Sequence, residues 1–271
     1  MSESIVDDVL HARYYQPGES SWADICHRVA NYIGNTDSER EEYYQLMFDK
    51  IFLPNSPTIM NAGTDNPMLS ACFVLLPDDS MESIFTTIKN AALIHKSGGG
   101  TGFTFGHLRP EGADVCGTGG VASGPISFMK VFNAATDAVK QGSKRRGANM
   151  GVLPVWHPDI EKFISCKEEE GALSNFNISV MIDDTFMKAV EADGDYDLKF
   201  DGKFYKTIRA KELFDKIVEH TWKNGEPGVI FYDTVNRDIK DGEEKIEATN
   251  PCVIGDTLIL TSDGYSVLMN V

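Results

Sequence analysis

The feature that most constrains the fold is the alternation of short apolar runs with amphipathic helical patterns between residues 70 and 235. The first apolar run is Ala71–Leu76, which has the length of a strand, and residues 82–96 after it place apolar side chains on one helical face. The alternation continues with a single hairpin inserted, whose turn is Asp201-Gly202. Chains with this order of elements form α/β domains, so we predict an α/β architecture.

Residues 1–52 lack this alternation and predict a helical region instead. Apolar side chains recur there at helical spacing, first as Trp22, Ile25, Val29 and Ile33 and then as Tyr43, Leu46, Met47, Ile51 and Phe52. The helical pattern ends where prolines in the stretch Leu53–Ser80 force an extended, turn-rich segment.

Charge and cysteine content exclude several classes of protein. The chain has 271 residues with 41 acidic and 25 basic side chains, a net charge of −16, which argues against binding DNA through a basic face. Its five cysteines form no CxxC pair and no zinc-ligand spacing, so we expect no metal site, and their odd number fits a reducing cytosol. Because no apolar run reaches membrane-spanning length and no signal-peptide pattern is present, we expect a cytoplasmic protein without a membrane partner.

A single cysteine, Cys72, stands at the mouth of the first predicted strand, downstream of a Ser-Pro-Thr turn at residues 56–58. Two interpretations are open from the residues alone. An isolated cysteine is most often a small core side chain. A cysteine combined with such a turn can also form a compact reactive site, so Cys72 is a candidate reactive residue.

Two glycine-rich segments can bring backbone N–H groups close to a ligand. The first is residues 97–106, SGGGTGFTFG, which alone is as typical of a tight turn as of a ligand site. The second, residues 141–150, contains three consecutive cations, Lys144, Arg145 and Arg146. In an acidic protein these cations favour an anionic ligand, and a solvated turn is the alternative.

Three segments together carry a resemblance to a known family: Asn-Ser-Pro-Thr-Ile-Met-Asn-Ala-Gly at 55–63, Leu-Ser-Ala-Cys-Phe-Val-Leu at 69–75 and Asp-Asp-Ser-Met-Glu-Ser-Ile at 78–84. The chain resembles the large catalytic chain of ribonucleotide reductases, most of all the adenosylcobalamin-dependent class II enzymes. The resemblance implies an N-terminal helical segment at 1–52. It further implies that residues 53–251 form the first half of a ten-stranded α/β barrel with effector-binding loops.

The resemblance also implies roles for individual residues at the substrate site. Cys72 matches one of the two cysteines that supply reducing equivalents, and Asn250 would hold a ribose hydroxyl. Ser56, Ala71 and Gly100 would complete the contacts to the substrate nucleotide.

A second site implied by the resemblance binds a deoxynucleoside triphosphate as specificity effector. Asp79 would bind its ribose, and Arg109 its phosphates, since the guanidinium fork donates two parallel hydrogen bonds to phosphate oxygens. The cations Lys144, Arg145 and Arg146 would lie in the loop between the effector and substrate sites, which makes the site allosteric. From the residues alone, Asp79 with Glu82 also fits a capping box, and both roles are compatible.

The end of the chain departs from the family after Cys252. The sequence Ala248–Cys252 resembles the reductase active-site loop, in which the cysteine carries the radical and Gly-Glu follows. Here Val-Ile-Gly-Asp-Thr follows, which resembles the first block of an intein. On that interpretation residues 252–271 begin an intein and Cys252 is its splicing nucleophile. A diverged strand without chemistry is the remaining alternative.

The implied function is the conversion of ribonucleotides to deoxyribonucleotides for DNA replication by radical chemistry. Adenosylcobalamin would generate the radical, although no site for it is identified in this chain. The implied partners are a ribonucleoside di- or triphosphate, a deoxynucleoside triphosphate, the C-terminal remainder of reductase and intein, a thioredoxin-like reductant and a second copy in a homodimer. The second reducing cysteine and the acid/base glutamate would lie beyond residue 271, so we expect this chain alone to be inactive. The alternatives are an intein precursor that performs protein splicing and a non-catalytic deoxynucleotide-binding fragment.

Overall fold

The computed structural model of the chain describes residues 2–65, 67–115, 120–139, 147–169, 171–240, 242–250, 258–261 and 264–267, of which residues 2–5, 258–261 and 264–267 are described by their backbone alone. Two compact units divide the chain. The first consists of Met1–Phe73, Lys89–Gly100 and Thr136–Gly147, and the second consists of Val74–Ile88, Thr101–Ala135 and Ala148–Val271.

The first unit begins with the helices α1 (Ser2–Arg13), α2 (Trp22–Ile33), α3 (Asp37–Phe48) and α4 (Ser56–Asn61). Local sequence sets where α2 and α3 begin, because Ser21 with Asp24 and Thr36 with Glu39 form capping boxes. The apolar faces of these helices meet in one core, formed by Ile25, Cys26, Val29, Ala30, Met47, Ile59 and Ala62. The predicted N-terminal helical region is therefore confirmed.

Arg28 joins α2 to the end of α4. Its guanidinium forms an ion pair of 2.6 Å with Glu19 and donates to the carbonyls of Ala62 and Ile59 at 2.7 and 3.0 Å. These carbonyls lie at the end of α4, where no helical N–H is left to satisfy them. The pair is largely buried, its side chains being 13% and 11% exposed, and the additional hydrogen bonds compensate for the loss of water.

The strands within the described residues are β1 (Cys72–Leu75), β2 (Gly100–Thr104), β3 (Asn149–Pro154), β4 (Phe176–Ile182), β5 (Asp195–Phe200), β6 (Lys203–Arg209), β7 (Gly228–Phe231), β8 (Leu258–Thr261) and β9 (Gly264–Val267). The remaining helices are α5 (Met81–Lys96), α6 (Pro125–Val139), α7 (Ile160–Ser165), α8 (Asp184–Glu191), α9 (Ala210–Asn224) and α10 (Tyr232–Val235). A five-stranded sheet has the order β1-β2-β3-β4-β7, and β2, β3, β4 and β7 pair in parallel. Helices connect these strands, which confirms the predicted α/β class.

Two antiparallel hairpins accompany the sheet. The predicted hairpin is confirmed as β5–β6, and its turn residues Asp201 and Gly202 both have positive φ, 47° and 71°, as a type I′ turn requires. The second hairpin is β8–β9. Within the described ranges, no helix combines the length and the apolar character that a membrane span needs.

The core of the second unit is aromatic. Phe103, Phe105, Phe132 and Phe176 are fully or almost fully buried and contact one another with ring centroids 4.8 to 6.2 Å apart. The alternation of Phe176, Ile178, Val180 and Ile182 with Asn175, Asn177, Ser179 and Met181 predicts a strand with two distinct faces, but six of the seven residues of β4 are buried and Asn177 alone is exposed. Parallel strands are usually covered on both faces, and here Met181 packs under Ala248. The short apolar run at residues 229–232 predicts a buried strand, but β7 lies at the end of the strand order and its alternate residues are exposed.

Candidate functional site

Three predicted substrate residues meet where β1 and β2 begin. Cys72 is the first residue of β1 and is exposed. The backbone N–H of Gly100, the first residue of β2, donates to the carbonyl of Ala71 at 2.7 Å. This hydrogen bond places Ala71, Cys72 and Gly100 side by side at the amino ends of neighbouring strands, where a small molecule can approach the thiol.

The other described cysteines lie in environments that disfavour reaction. Burial raises the pKa of the Cys26 thiol to about 11 and the pKa of the Cys166 thiol to about 12. Because the thiolate is the reactive form of cysteine, these two side chains stay protonated and inert at neutral pH. Among the cysteines in the described ranges, Cys72 is the exposed one, whereas Cys26 is buried and Cys166 is partly exposed. Cys116 and Cys252 lie outside the described residues.

Ser56 lies at the first turn of α4 and accepts a hydrogen bond from the Tyr14 hydroxyl at 3.2 Å. Two residues further on, the Thr58 hydroxyl donates to the carbonyl of Leu69 at 3.0 Å. The short helix that carries Ser56 is thus fastened to the segment that leads into Ala71. The described residues show no hydrogen bond between Ser56 and Ala71, Cys72 or Gly100.

Asn250 belongs to the second unit, where its segment packs directly on β2. A Cβ atom added to Gly102 would lie only 2.1 Å from the carbonyl oxygen of Thr249 and 3.3 Å from the amide nitrogen of Asn250. Gly102 therefore has to lack a side chain for this approach to be possible. Sequence reasoning singled out Gly100 in the same glycine-rich segment and missed Gly102, although the repeated glycines were the available signal.

Asp79 and Arg109 form a bonded pair after the carboxyl ends of β1 and β2. The Arg109 Nε donates to Asp79 Oδ2 at 2.6 Å, and the Arg109 backbone N–H donates to Asp79 Oδ1 at 3.2 Å. Both side chains are about one-third exposed. They line a cavity of about 370 Å³ together with Ser80, Met81, Ile84, Val115, Val121, Ala122, Ser123, Gly124 and Phe128.

The capping box predicted for Asp79 and Glu82 is wrong. Ser80 takes the position before α5, because its Oγ accepts from the backbone N–H of Ser83 at 3.1 Å and the Ser83 Oγ accepts from the backbone N–H of Asp78 at 2.9 Å. The helix begins one residue later than a cap at Asp79 requires. This shift leaves the Asp79 carboxylate to bind Arg109.

We call residues 105–115 and 120–124 the Arg109 loop. Its two arms pair through backbone hydrogen bonds from Gly112 to Ala122 (2.9 Å) and from Ala122 to Ala113 (2.8 Å). The Arg109 Nη1 also donates to the carbonyl of Asp114 at 3.1 Å, so the guanidinium bridges the loop and Asp79. The cavity described above therefore has a preformed wall that carries a cation.

Other predicted site residues lie outside the described ranges. These are Lys144, Arg145, Arg146 and Cys252. Within the described ranges, no group of three or more His, Cys, Asp or Glu side chains comes close enough together to hold a metal ion.

A parallel sheet whose strands are connected by helices, with candidate ligand residues at the strand ends, defines the class of the α/β enzymes. Residues 70–254 match the family described as "Ribonucleotide reductase, barrel domain", and residues 6–67 match "Ribonucleotide reductase, all-alpha domain". The chain belongs to the ribonucleotide reductase large-chain family.

Three similar curated proteins are named as vitamin B12-dependent reductases. A protein of Thermoplasma acidophilum named "Vitamin B12-dependent ribonucleoside-diphosphate reductase" is 53% identical over 215 residues, which cover 78% of this chain and 28% of that protein. A protein of Mycobacterium tuberculosis with the same name is 42% identical over 257 residues, covering 90% of this chain and 37% of that protein. The "Vitamin B12-dependent ribonucleotide reductase" of Streptomyces avermitilis is 38% identical over 242 residues, covering 79% of this chain and 25% of that protein. The chain thus spans between a quarter and somewhat more than a third of these relatives.

Proposed function

We propose that this chain supplies the N-terminal part of a ribonucleotide reductase that converts ribonucleotides to deoxyribonucleotides by radical chemistry. The observation that carries the proposal is the exposed Cys72 at the amino end of β1, beside Ala71 and Gly100, in a chain of the reductase family. In this role the Cys72 thiol donates a reducing equivalent to the substrate and ends in a disulfide with a cysteine of the remaining protein. Ser56 and the strand ends contact the nucleotide, and Asn250 holds a ribose hydroxyl.

The test uses the complete reductase that contains this chain, with ribonucleoside diphosphate and triphosphate substrates in separate assays. We expect Cys72→Ala to abolish multiple turnover with a physiological dithiol reductant, because the disulfide cannot form. Cys166→Ala is the matched control and should keep turnover, since burial holds its thiol protonated. Undiminished turnover of the Cys72→Ala protein would refute the assignment. The 271-residue chain alone should show no turnover.

We further propose that the cavity at Asp79 and Arg109 binds a deoxynucleoside triphosphate and controls substrate choice. Its size, about 370 Å³, falls within the range of small-molecule sites, and it combines a carboxylate for a ribose hydroxyl with a guanidinium for phosphate. The cations Lys144, Arg145 and Arg146 would transmit the occupancy of this site to the substrate site.

Removal of the guanidinium tests the effector proposal. Arg109→Ala removes a charge-assisted contact worth roughly 1.5–3 kcal/mol, so we expect at least a tenfold loss of affinity for deoxynucleoside triphosphates in isothermal titration calorimetry. Lys162→Met is the control, because Lys162 forms an exposed ion pair with Glu111 of the same loop and does not line the cavity. Equal affinities of the Arg109→Ala and wild-type chains would show that the site is elsewhere.

The relatives are named vitamin B12-dependent reductases, which implies adenosylcobalamin as the cofactor of the complete protein. The described cavities measure about 200 to 550 Å³, which suits ligands up to the size of a nucleotide. We therefore assign no residue of this chain to the cofactor. When bound by the complete enzyme, it would supply the homolysis that starts the radical reaction.

The division of the chain and its partners are part of the same proposal. Residues 1–52 form the helical region, residues 53–251 the first half of the barrel, and residues 252–271 a separate segment. The complete protein would be a cytoplasmic homodimer that uses a thioredoxin-like reductant.

The sequence after Cys252 carries a second candidate function, protein splicing. We propose that Cys252 begins an intein, because Val253-Ile254-Gly255-Asp256-Thr257 replaces the Gly-Glu of the reductase loop. Its thiol would attack the carbonyl of Pro251, forming a thioester and releasing the amide nitrogen of Cys252. Co-expression with the downstream part and mass spectrometry of the product test this. We expect a ligated product from which the segment beginning with Cys252 and Val253 has been removed. The Cys252→Ala variant should not form this product. Cys252 retained and followed by Val253 would make it the radical cysteine instead.

A further inference from the structure

The turn between β3 and α7 touches the Arg109 loop at two points. His157 and Asp159, both in this turn, are buried, with 1% and 6% of their surface exposed. The His157 Nε2 lies 2.9 Å from the carbonyl oxygen of Leu108, and Asp159 Oδ2 accepts from the backbone N–H of Glu111 at 2.8 Å. The two contacts therefore lie immediately before and shortly after Arg109.

The hydrogen-bond pattern determines which nitrogen of His157 carries the proton. The backbone N–H of Asp159 donates to His157 Nδ1 at 3.1 Å, so Nδ1 acts as an acceptor. The proton then lies on Nε2, which donates it to the Leu108 carbonyl. A neutral imidazole thus makes one bond to its own turn and one to the Arg109 loop.

The role of Asp159 is unusual for its position. It directly precedes α7, where an aspartate normally accepts a hydrogen bond from the first turn of the helix. No such side-chain cap is present at Asp159. Its carboxylate instead reaches the Arg109 loop, and a Cβ atom added to Gly124 would lie 2.9 Å from Asp159 Oδ2. The loop closes around this carboxylate at the expense of a helix cap.

We propose that His157 and Asp159 are positioning residues that hold the Arg109 guanidinium in the orientation in which it binds an anionic ligand. The proposal rests on the proposed effector function of the Asp79–Arg109 cavity. His157 binds the carbonyl of Leu108, directly before Arg109, and Asp159 binds the N–H of Glu111, two residues after it. The N–H of Arg109 itself donates to Asp79. These three points fix the direction in which the side chain leaves the backbone, so the ordering cost is met before the ligand binds.

A double-mutant cycle separates positioning from a general loss of structure. In the 271-residue chain we expect Asp159→Ala to weaken binding of deoxynucleoside triphosphates at least fivefold. Asp159→Asn keeps an oxygen acceptor for the Glu111 N–H and should retain affinity within twofold. In an Arg109→Ala background, Asp159→Ala should change affinity less than twofold. A similar loss in both backgrounds would overturn the proposal, because the effect would not act through Arg109.

A measurement without ligand keeps this inference independent of the effector proposal. Hydrogen exchange of the Arg109 Nε–H, followed by ¹⁵N NMR, reports how firmly the guanidinium is held against Asp79. We expect at least tenfold faster exchange in Asp159→Ala and in His157→Leu, which removes the bond to Leu108 on the other side. Lys162→Met is the control and should leave the exchange rate unchanged. Unchanged exchange in both turn variants would overturn the proposal. A wild-type chain that binds no nucleotide, with accelerated exchange in those variants, would refute the effector function alone.

Discussion

The contact between Gly102 and the segment before Asn250 yields a prediction with a defined magnitude. Gly102→Ala places a methyl group 2.1 Å from the carbonyl oxygen of Thr249 and 2.8 Å from its carbonyl carbon. Both atoms belong to the backbone, so no side-chain rotation relieves the overlap. The segment has to move by about 1 Å or more to restore a normal van der Waals separation.

The expected cost follows from overpacking of a buried contact. Inserting a methyl group into a filled space costs about 1–3 kcal/mol. For a domain of this size each kcal/mol corresponds to roughly 2–4 °C in melting temperature. Ala248, which is 5% exposed and packs on Met150, Val152 and Met181, would move with its neighbours. We therefore expect a loss of stability together with faster amide exchange at residues 246–250.

Urea unfolding and hydrogen exchange mass spectrometry measure these two effects. Gly194→Ala is the matched control, because its added Cβ would lie 3.6 Å from the nearest atom, the Ala189 carbonyl oxygen, which is an ordinary contact. That control should be neutral or more stable by about 0.4–1 kcal/mol, since alanine reduces the entropy of the unfolded chain. A Gly102→Ala chain within about 0.5 kcal/mol of wild type, with unchanged exchange at 246–250, would refute the reasoning.

Two further predictions concern buried charged and titratable groups. Arg28→Met leaves Glu19 and two carbonyls at the end of α4 without their partner, so we expect about 3–5 kcal/mol of destabilisation in urea unfolding. The control is Arg40→Met, which removes the more exposed ion pair with Asp37 and should cost less than about 1 kcal/mol. Equal losses of stability in the two variants would contradict the burial argument. Burial lowers the pKa of His157 below its ordinary value of 6.5, so the unfolded chain binds the proton first and stability falls as pH drops from 6.5 toward the folded-state pKa, by up to about 1.4 kcal/mol per pH unit. His157→Gln should reduce this slope, while His95, whose pKa burial also lowers, should keep contributing to it; an unchanged slope in His157→Gln would contradict the assignment.

Much of the fold was predictable from short-range patterns. The hairpin at Asp201-Gly202 follows from two residues that tolerate positive φ, and the end of α9 follows from Gly225, whose φ is 82°. The candidate sites at Cys72 and Arg109 came from segments that resemble a family. In each case the information lies in a few consecutive residues.

Other features depended on partners that are distant in the sequence. The local sequence predicts that the Asp79 carboxylate caps a helix in a capping box with Glu82. In the structure the carboxylate binds Arg109 instead, 30 residues further along the chain. Met181 of β4 is buried because it packs against Ala248, which lies 67 residues further along the chain. No local pattern specifies either contact.

The sequence by itself determined the helical region, the α/β order of elements, the hairpin turn and the family, because periodicity, turn chemistry and motif identity are local properties of the chain. Only the tertiary structure decided that Ser80 caps α5 in place of Asp79 and that the segment before Asn250 packs against Gly102. It also decided that the Asp159 carboxylate binds the Arg109 loop and does not cap α7. The physical reason is competition. A carboxylate or a glycine has several possible contact partners in the sequence. In the folded chain it makes the contact that burial and close packing render most favourable.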